Sequence, residues 1–96
     1  MSQTMGQGLQ RTVYFLSRKS RWDWWPYMPV VRRTTGQEEY GVVFDAIGFC
    51  GLTGFSATVW FCNIFELPET LQGLLDLPKE VFDTAEELAA ADWCVD

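Results

Sequence analysis

The side chains in this sequence that could do chemistry are carboxylates, thiols and hydroxyls, because it contains no histidine. Histidine is the commonest general base and the commonest metal ligand, so Ser-His and Cys-His nucleophile pairs are excluded. Paired carboxylates can hydrolyse glycosides, but 96 residues leave little room for a deep substrate cleft. Cys50, Cys62 and Cys94 are odd in number, and no CxxC pair occurs. They read as free thiols in a reducing compartment, not as a disulfide framework or a zinc site. Gly48, Gly51 and Gly54 space as GxxGxxG, with a strand expected to follow. A phosphate cradle needs a helix N-terminus after the turn, so these glycines read as a tight β-turn. No enzyme, no metal and no cofactor is expected.

What remains is binding. Seven Lys and Arg face thirteen Asp and Glu, for a net charge of −6. Residues 1–33 hold Arg11, Arg18, Lys19, Arg21, Arg32 and Arg33 against Asp23 alone, whereas residues 34–96 hold Lys79 against twelve carboxylates. The basic stretch interleaves its cations with Trp22, Trp24, Trp25 and Tyr27. Rings beside arginines anchor protein interfaces and also stack on single-stranded nucleic acid. The acidic balance opposes the nucleic-acid alternative, and packing of the rings on a sheet is the plain structural one. Glu80, Asp83, Glu86 and Glu87 belong to an acidic last third that suits a basic partner surface. The expected binding residues are therefore these four carboxylates and the four rings of the Trp22–Tyr27 segment.

These residues need elements to position them. Residues 1–10 read as a loosely ordered tail and residues 11–96 as one domain. The run Arg11–Leu16 is β-rich and predicts a first strand. Pro26 and Pro29 make residues 22–29 extended or turn-like, and residues 30–33 predict a short edge strand. Thr34–Glu39 marks a hairpin break, Tyr40–Ile47 a strand, and Phe55–Phe65 a central strand with both faces apolar. Residues 46–65 are uncharged over a membrane-spanning length, but their glycines and period-two pattern favour two buried strands. Leu71, Leu74 and Leu75 share one helical face, started by Pro68, and residues 79–82 suit a brief strand. Asp83 or Thr84 with Glu86 or Glu87 three residues on is a capping-box spacing, so a closing helix follows with Ala85, Leu88, Ala89 and Trp93 inward. The fold predicted is α+β: an antiparallel sheet of three to five strands with the C-terminal helix packed on one face. Val13, Phe15, Val43, Phe44, Val59, Phe61, Phe65 and Leu88 are the expected core.

One short acidic domain, no catalytic constellation, an aromatic patch and the closing FDTAEELAAADW element at residues 82–93 together resemble the small acidic accessory proteins of bacteriophages, the anti-CRISPR and other anti-defence inhibitors. The resemblance implies a non-enzymatic inhibitor that occupies a surface of a host protein or protein–nucleic-acid complex, such as a CRISPR effector. The acidic balance and the period-two pattern of residues 46–65 lead us to expect no direct nucleic-acid binding and no membrane. The N-terminus lacks the basic-then-apolar order of a signal peptide, so a cytoplasmic location is expected. A virion or assembly protein, or less readily a small single-span membrane protein, is the alternative.

Overall fold

A computed structural model describes residues 2–53 and 57–95, with side chains from residue 10 onward. The chain opens with a helix, α1 (Ser2–Ser17), where the sequence predicts a tail and then a strand. The pattern behind it is Thr12, Phe15 and Leu16, spaced i, i+3, i+4. Thr12 and Leu16 are buried and Phe15 packs against the core, so tertiary packing overrides the β propensity of Val13, Tyr14 and Phe15.

Five strands follow in one antiparallel sheet: β1 (Tyr27–Thr34), β2 (Gln37–Phe44), β3 (Ala57–Trp60), β4 (Lys79–Phe82) and β5 (Trp93–Val95), in the spatial order β4-β3-β2-β1-β5. β1 and β2 form a hairpin with a two-residue turn, Thr35-Gly36, in which Gly36 takes a φ of +76°. The register sets Arg32 opposite Glu39 and Arg33 opposite Glu38, so slippage by one residue would break both charge pairs. Residues 30–33 are thus part of a long internal strand, not a short edge. Pro29 is tolerated there because the Asp45 N–H donates to the Pro26 carbonyl at 2.8 Å. That bond makes the even-numbered residues of β1 the ones that face β2. The missing N–H of Pro29 therefore points to the β5 side, beyond the paired Val30–Arg32.

β2 ends at Phe44, and the next residues form a short helix, α2 (Ala46–Cys50), instead of more strand. Asp45 caps it by accepting from the Gly48 N–H at 3.1 Å, and Gly51 ends it. The glycine series is therefore not a β-turn: Gly48 lies inside α2, and Gly54 falls outside the described residues, as do Phe55 and Ser56. β3 sits between β2 and β4 with every residue buried. Its two-sided burial is as expected, but the strand stops at Trp60. Asn63 turns the chain by accepting from the Phe65 N–H at 2.9 Å, and Phe65 emerges 77% exposed rather than in the core.

Helix α3 (Leu71–Leu75) is capped by the Thr70 hydroxyl, not opened by Pro68. Helix α4 (Ala85–Ala90) is capped by Thr84, which accepts from the Glu87 N–H at 3.1 Å while Glu87 Oε1 accepts from the Asp83 N–H at 3.0 Å. Asp92, at φ +74°, ends the helical path. Trp93 then belongs to β5, which pairs with β1, and not to the helix.

The sheet buries apolar residues on both faces. One face carries Met28, Val30, Val43, Val59, Trp93 and Val95 under α1 and α4. The other carries Val42, Phe44 and Trp60 against Leu74 and the segment around Ile64 and Leu67. Of the remaining expected core residues, Leu88 is buried, Phe15 and Phe61 are partly buried against the first face, and Val13 is half-buried. Among the described residues, no helix is long and apolar enough to cross a membrane.

Candidate interaction surface

The four rings of the Trp22–Tyr27 segment part company at a tight turn. The Trp25 N–H donates to the Trp22 carbonyl at 3.2 Å and the Tyr27 N–H to the Trp24 carbonyl at 2.8 Å, with a cis Trp25–Pro26 peptide between. Trp22 is 5% exposed, and its Nε1–H donates to the Phe15 carbonyl at 2.7 Å. It fastens the end of α1 to the sheet and is a core residue. Tyr27 stacks on Phe44 at 5.2 Å. Burial raises its hydroxyl pKa, and the nearby Cys62 adds to the rise.

Trp24 and Trp25 stay on the surface, 50% and 46% exposed. Each meets a second exposed ring edge-on: Trp24 meets Phe65 at 5.6 Å, and Trp25 meets Phe49 at 6.1 Å. Phe49 is itself 54% exposed, and Ile47 on the same short helix is 49% exposed. Two exposed ring pairs thus follow one another along the chain at Trp24 and Trp25. Phe49 and Phe65 were hidden in the sequence because the uncharged run from 46 to 65 reads as two buried strands.

Asp45 holds one half of this surface in place. It is buried, and it accepts from the Trp25 indole N–H at 2.9 Å and pairs with the Lys19 ammonium at 3.3 Å. Burial pushes its carboxyl upward. The Trp25 indole, the Gly48 N–H and Lys19 together outweigh this and hold it below the ordinary aspartate range. An ionised Asp45 therefore fixes the Trp25 ring and starts α2 with the same two oxygens. The signal in the sequence was an Asp immediately before Ala46, an N-cap residue type.

The acidic candidates lie elsewhere and do different work. Glu80 accepts from Arg32 through two hydrogen bonds, at 3.0 and 2.9 Å, and from the Trp93 indole N–H at 3.1 Å. Hydrogen bonding to Arg32 lowers its pKa against the opposing effect of burial. Glu87 closes the capping box, whereas Asp83 and Glu86 are exposed. Glu86 borders an apolar groove of about 450 Å³ between α1 and α4, with Val13, Tyr14 and Ala89. No hydrogen bond, ion pair or ring contact joins the four carboxylates to Trp24 or Trp25 among the described residues. Of the eight expected binding residues, Glu80, Glu87 and Trp22 are thus engaged in hydrogen bonds within the fold.

Cys50 and Cys94 are exposed and Cys62 is half-buried. All three are free, and burial pushes the Cys62 thiol pKa up, with Glu66 adding to the rise. Among the described residues no group of three His, Cys, Asp or Glu could hold a metal ion. No family model matches the chain, and neither a curated protein nor a solved structure matches it.

Proposed function

We propose that this chain is a non-enzymatic protein-binding module that docks through Trp24, Trp25, Phe49 and Phe65. The observation that carries the reading is the exposure of these four rings, from 46% to 77%, in a chain that buries Trp22, Trp60 and Trp93. A fold able to cover three indoles leaves the other two in water together with two phenyl rings. Large rings contribute most of the apolar anchoring at protein interfaces. The Asp45 clamp on Trp25 lowers the entropy lost on docking, since that ring is already oriented.

The finer form of this reading is inhibition of a nucleic-acid-handling host complex by occupying a basic groove. Its support is the net charge of −6 and the exposed Asp83 and Glu86. Glu80 and Glu87 no longer belong to that argument, because both are engaged within the fold.

The test is capture of partners from bacterial lysate by the immobilised chain and by the Phe49→Ala/Phe65→Ala variant. Both side chains are exposed, so the variant should match wild type in circular dichroism and melting temperature. The expected result is a set of retained proteins that the double variant loses. Retention of the same proteins by the folded variant would overturn the reading. Charge reversal of Asp83 and Glu86 alone then tests the acidic contribution, which should fall off between low and moderate salt.

A further inference from the structure

A cavity of about 230 Å³ opens beside Trp24, between α1 and the ends of β1 and β5. Phe15, Met28 and Val95 give it an apolar lining, and Arg11, Arg21 and Asp23 border it. Neither arginine makes an ion pair among the described residues. Arg11 is nevertheless held in place. Its Nη1 donates to the Val95 carbonyl at 3.3 Å, and its guanidinium lies 5.2 Å from the centre of the Phe15 ring. A guanidinium carries five N–H donors, and among the described residues Arg11 uses one of them in a hydrogen bond.

The size and the charge select the occupant. Pockets that take cofactors or drug-sized ligands run from about 300 Å³ upward, so this one fits one or two side chains. Among the described residues that line it, two arginines against Asp23 leave a local charge of +1, which suits one carboxylate better than a doubly charged phosphate. Trp24 belongs to both the cavity and the exposed ring surface, so an occupant of the cavity continues directly onto that surface. We propose that the cavity receives one acidic side chain, with an adjoining apolar residue, from the polypeptide that docks on Trp24 and Phe65. The proposal rests on the protein-binding reading above and adds the chemistry of the partner.

The experiment titrates the ¹⁵N-labelled chain with acetyl-Leu-Glu-Leu-amide, acetyl-Leu-Gln-Leu-amide and inorganic phosphate. The Glu peptide should shift the Trp24 indole and the Arg11 and Arg21 side-chain signals. The Gln peptide, and the Glu peptide on Arg21→Gln, should bind about fivefold more weakly, the upper range for an exposed ion pair. Arg11→Gln provides a second arm, and an unchanged amide spectrum certifies the fold of each variant. Equal affinity for the two peptides, no binding of either, an unaltered Arg21→Gln, or phosphate binding more tightly than the Glu peptide would each overturn the proposal. The capture experiment fails independently. If capture depends on Phe49 and Phe65 while the peptides ignore the arginines, the docking surface stands and the acidic pocket falls.

Discussion

Arg32 and Glu80 form a two-pronged ion pair although β1 and β4 are separated by two other strands. The pairing sets Glu80 in line with Met28, through Val59 and Val43, so three strand spacings of about 4.8 Å each and an offset of four residues along β1 together exceed what the two side chains could bridge over a flat sheet. The sheet must therefore coil strongly, bringing its outer strands together over the face that α1 and α4 cover. Trp93 fills the interval: Arg32 lies 4.5 Å from the centre of its indole, whose N–H donates to Glu80. Glu39 accepts from the other side of the guanidinium, at 2.9 and 3.2 Å.

This cluster gives stability a definite pH dependence. Glu80 titrates below the ordinary glutamate range in the folded protein, so its contribution is complete above about pH 5 and is lost as the pH falls below about 4. Glu80→Gln should destabilise the protein by about 1–3 kcal/mol at pH 7, the range for hydrogen bonds to charged groups. The gap between variant and wild type should narrow on acidification. Urea titrations of both at pH 7 and pH 3 measure it. A gap that stays constant or widens at pH 3 would refute the assignment.

The tryptophans separate by role. Trp22→Ala removes a buried indole and should cost about 3–5 kcal/mol. Trp24→Ala removes a surface ring and should cost less than about 1 kcal/mol, while the indole signal named for the peptide titration disappears. Denaturant unfolding of the two variants compares them directly. Similar losses in both would mean that Trp24 is a core residue.

Sequence periodicity recovered the elements whose signals are local. The β1–β2 hairpin is written in Arg32-Arg33, a Thr-Gly turn and Glu38-Glu39, and α4 in Thr84 and Glu87. It could not tell a strand from a helix over Arg11–Leu16, where six residues contain too few turns for either period to stand out. It also missed β5, because three residues that end a chain of good helix formers carry no strand signal. The candidate surface was half legible. Five tryptophans look alike in sequence, yet Trp22 is buried against the end of α1 while Trp24 and Trp25 stay exposed across the turn that follows. Glu80 looked like one more surface carboxylate because its partner, Arg32, lies 48 residues away.

Gly41 occupies a point where no side chain fits. A Cβ there would lie 2.5 Å from Val59 Cγ1, 3.0 Å from the Trp60 carbonyl oxygen and 3.4 Å from the Trp93 ring. Gly41→Ala should therefore destabilise by about 1–3 kcal/mol through overpacking, even though alanine fits a strand better than glycine does. A melting temperature equal to or above that of wild type would show that the Trp93 ring and Val59 can give way.

The capping box of α4 is testable separately from its acidic charge. Thr84→Ala should cost about 1 kcal/mol through loss of the hydroxyl that accepts from Glu87, whereas Thr84→Ser should retain nearly all of the stability. Thermal unfolding monitored at 222 nm distinguishes them. Equal melting temperatures for the two variants would remove the cap from the account of this helix.

The pairing of β5 with β1 also fixes an order of events during synthesis. Val95 accepts one hydrogen bond at its carbonyl from Arg11 and donates its N–H to the Thr12 hydroxyl at 3.4 Å, joining positions 84 and 83 residues apart. A nascent chain that has extruded α1 and the β1–β2 hairpin still lacks the strand that covers the outer edge of β1. That edge, with Val30 and Val31, stays open until residues 93–95 leave the ribosome. The β5 side of β1 therefore stays uncovered until residues 93–95 are available, and an edge left open in this way is exposed to strand-to-strand association.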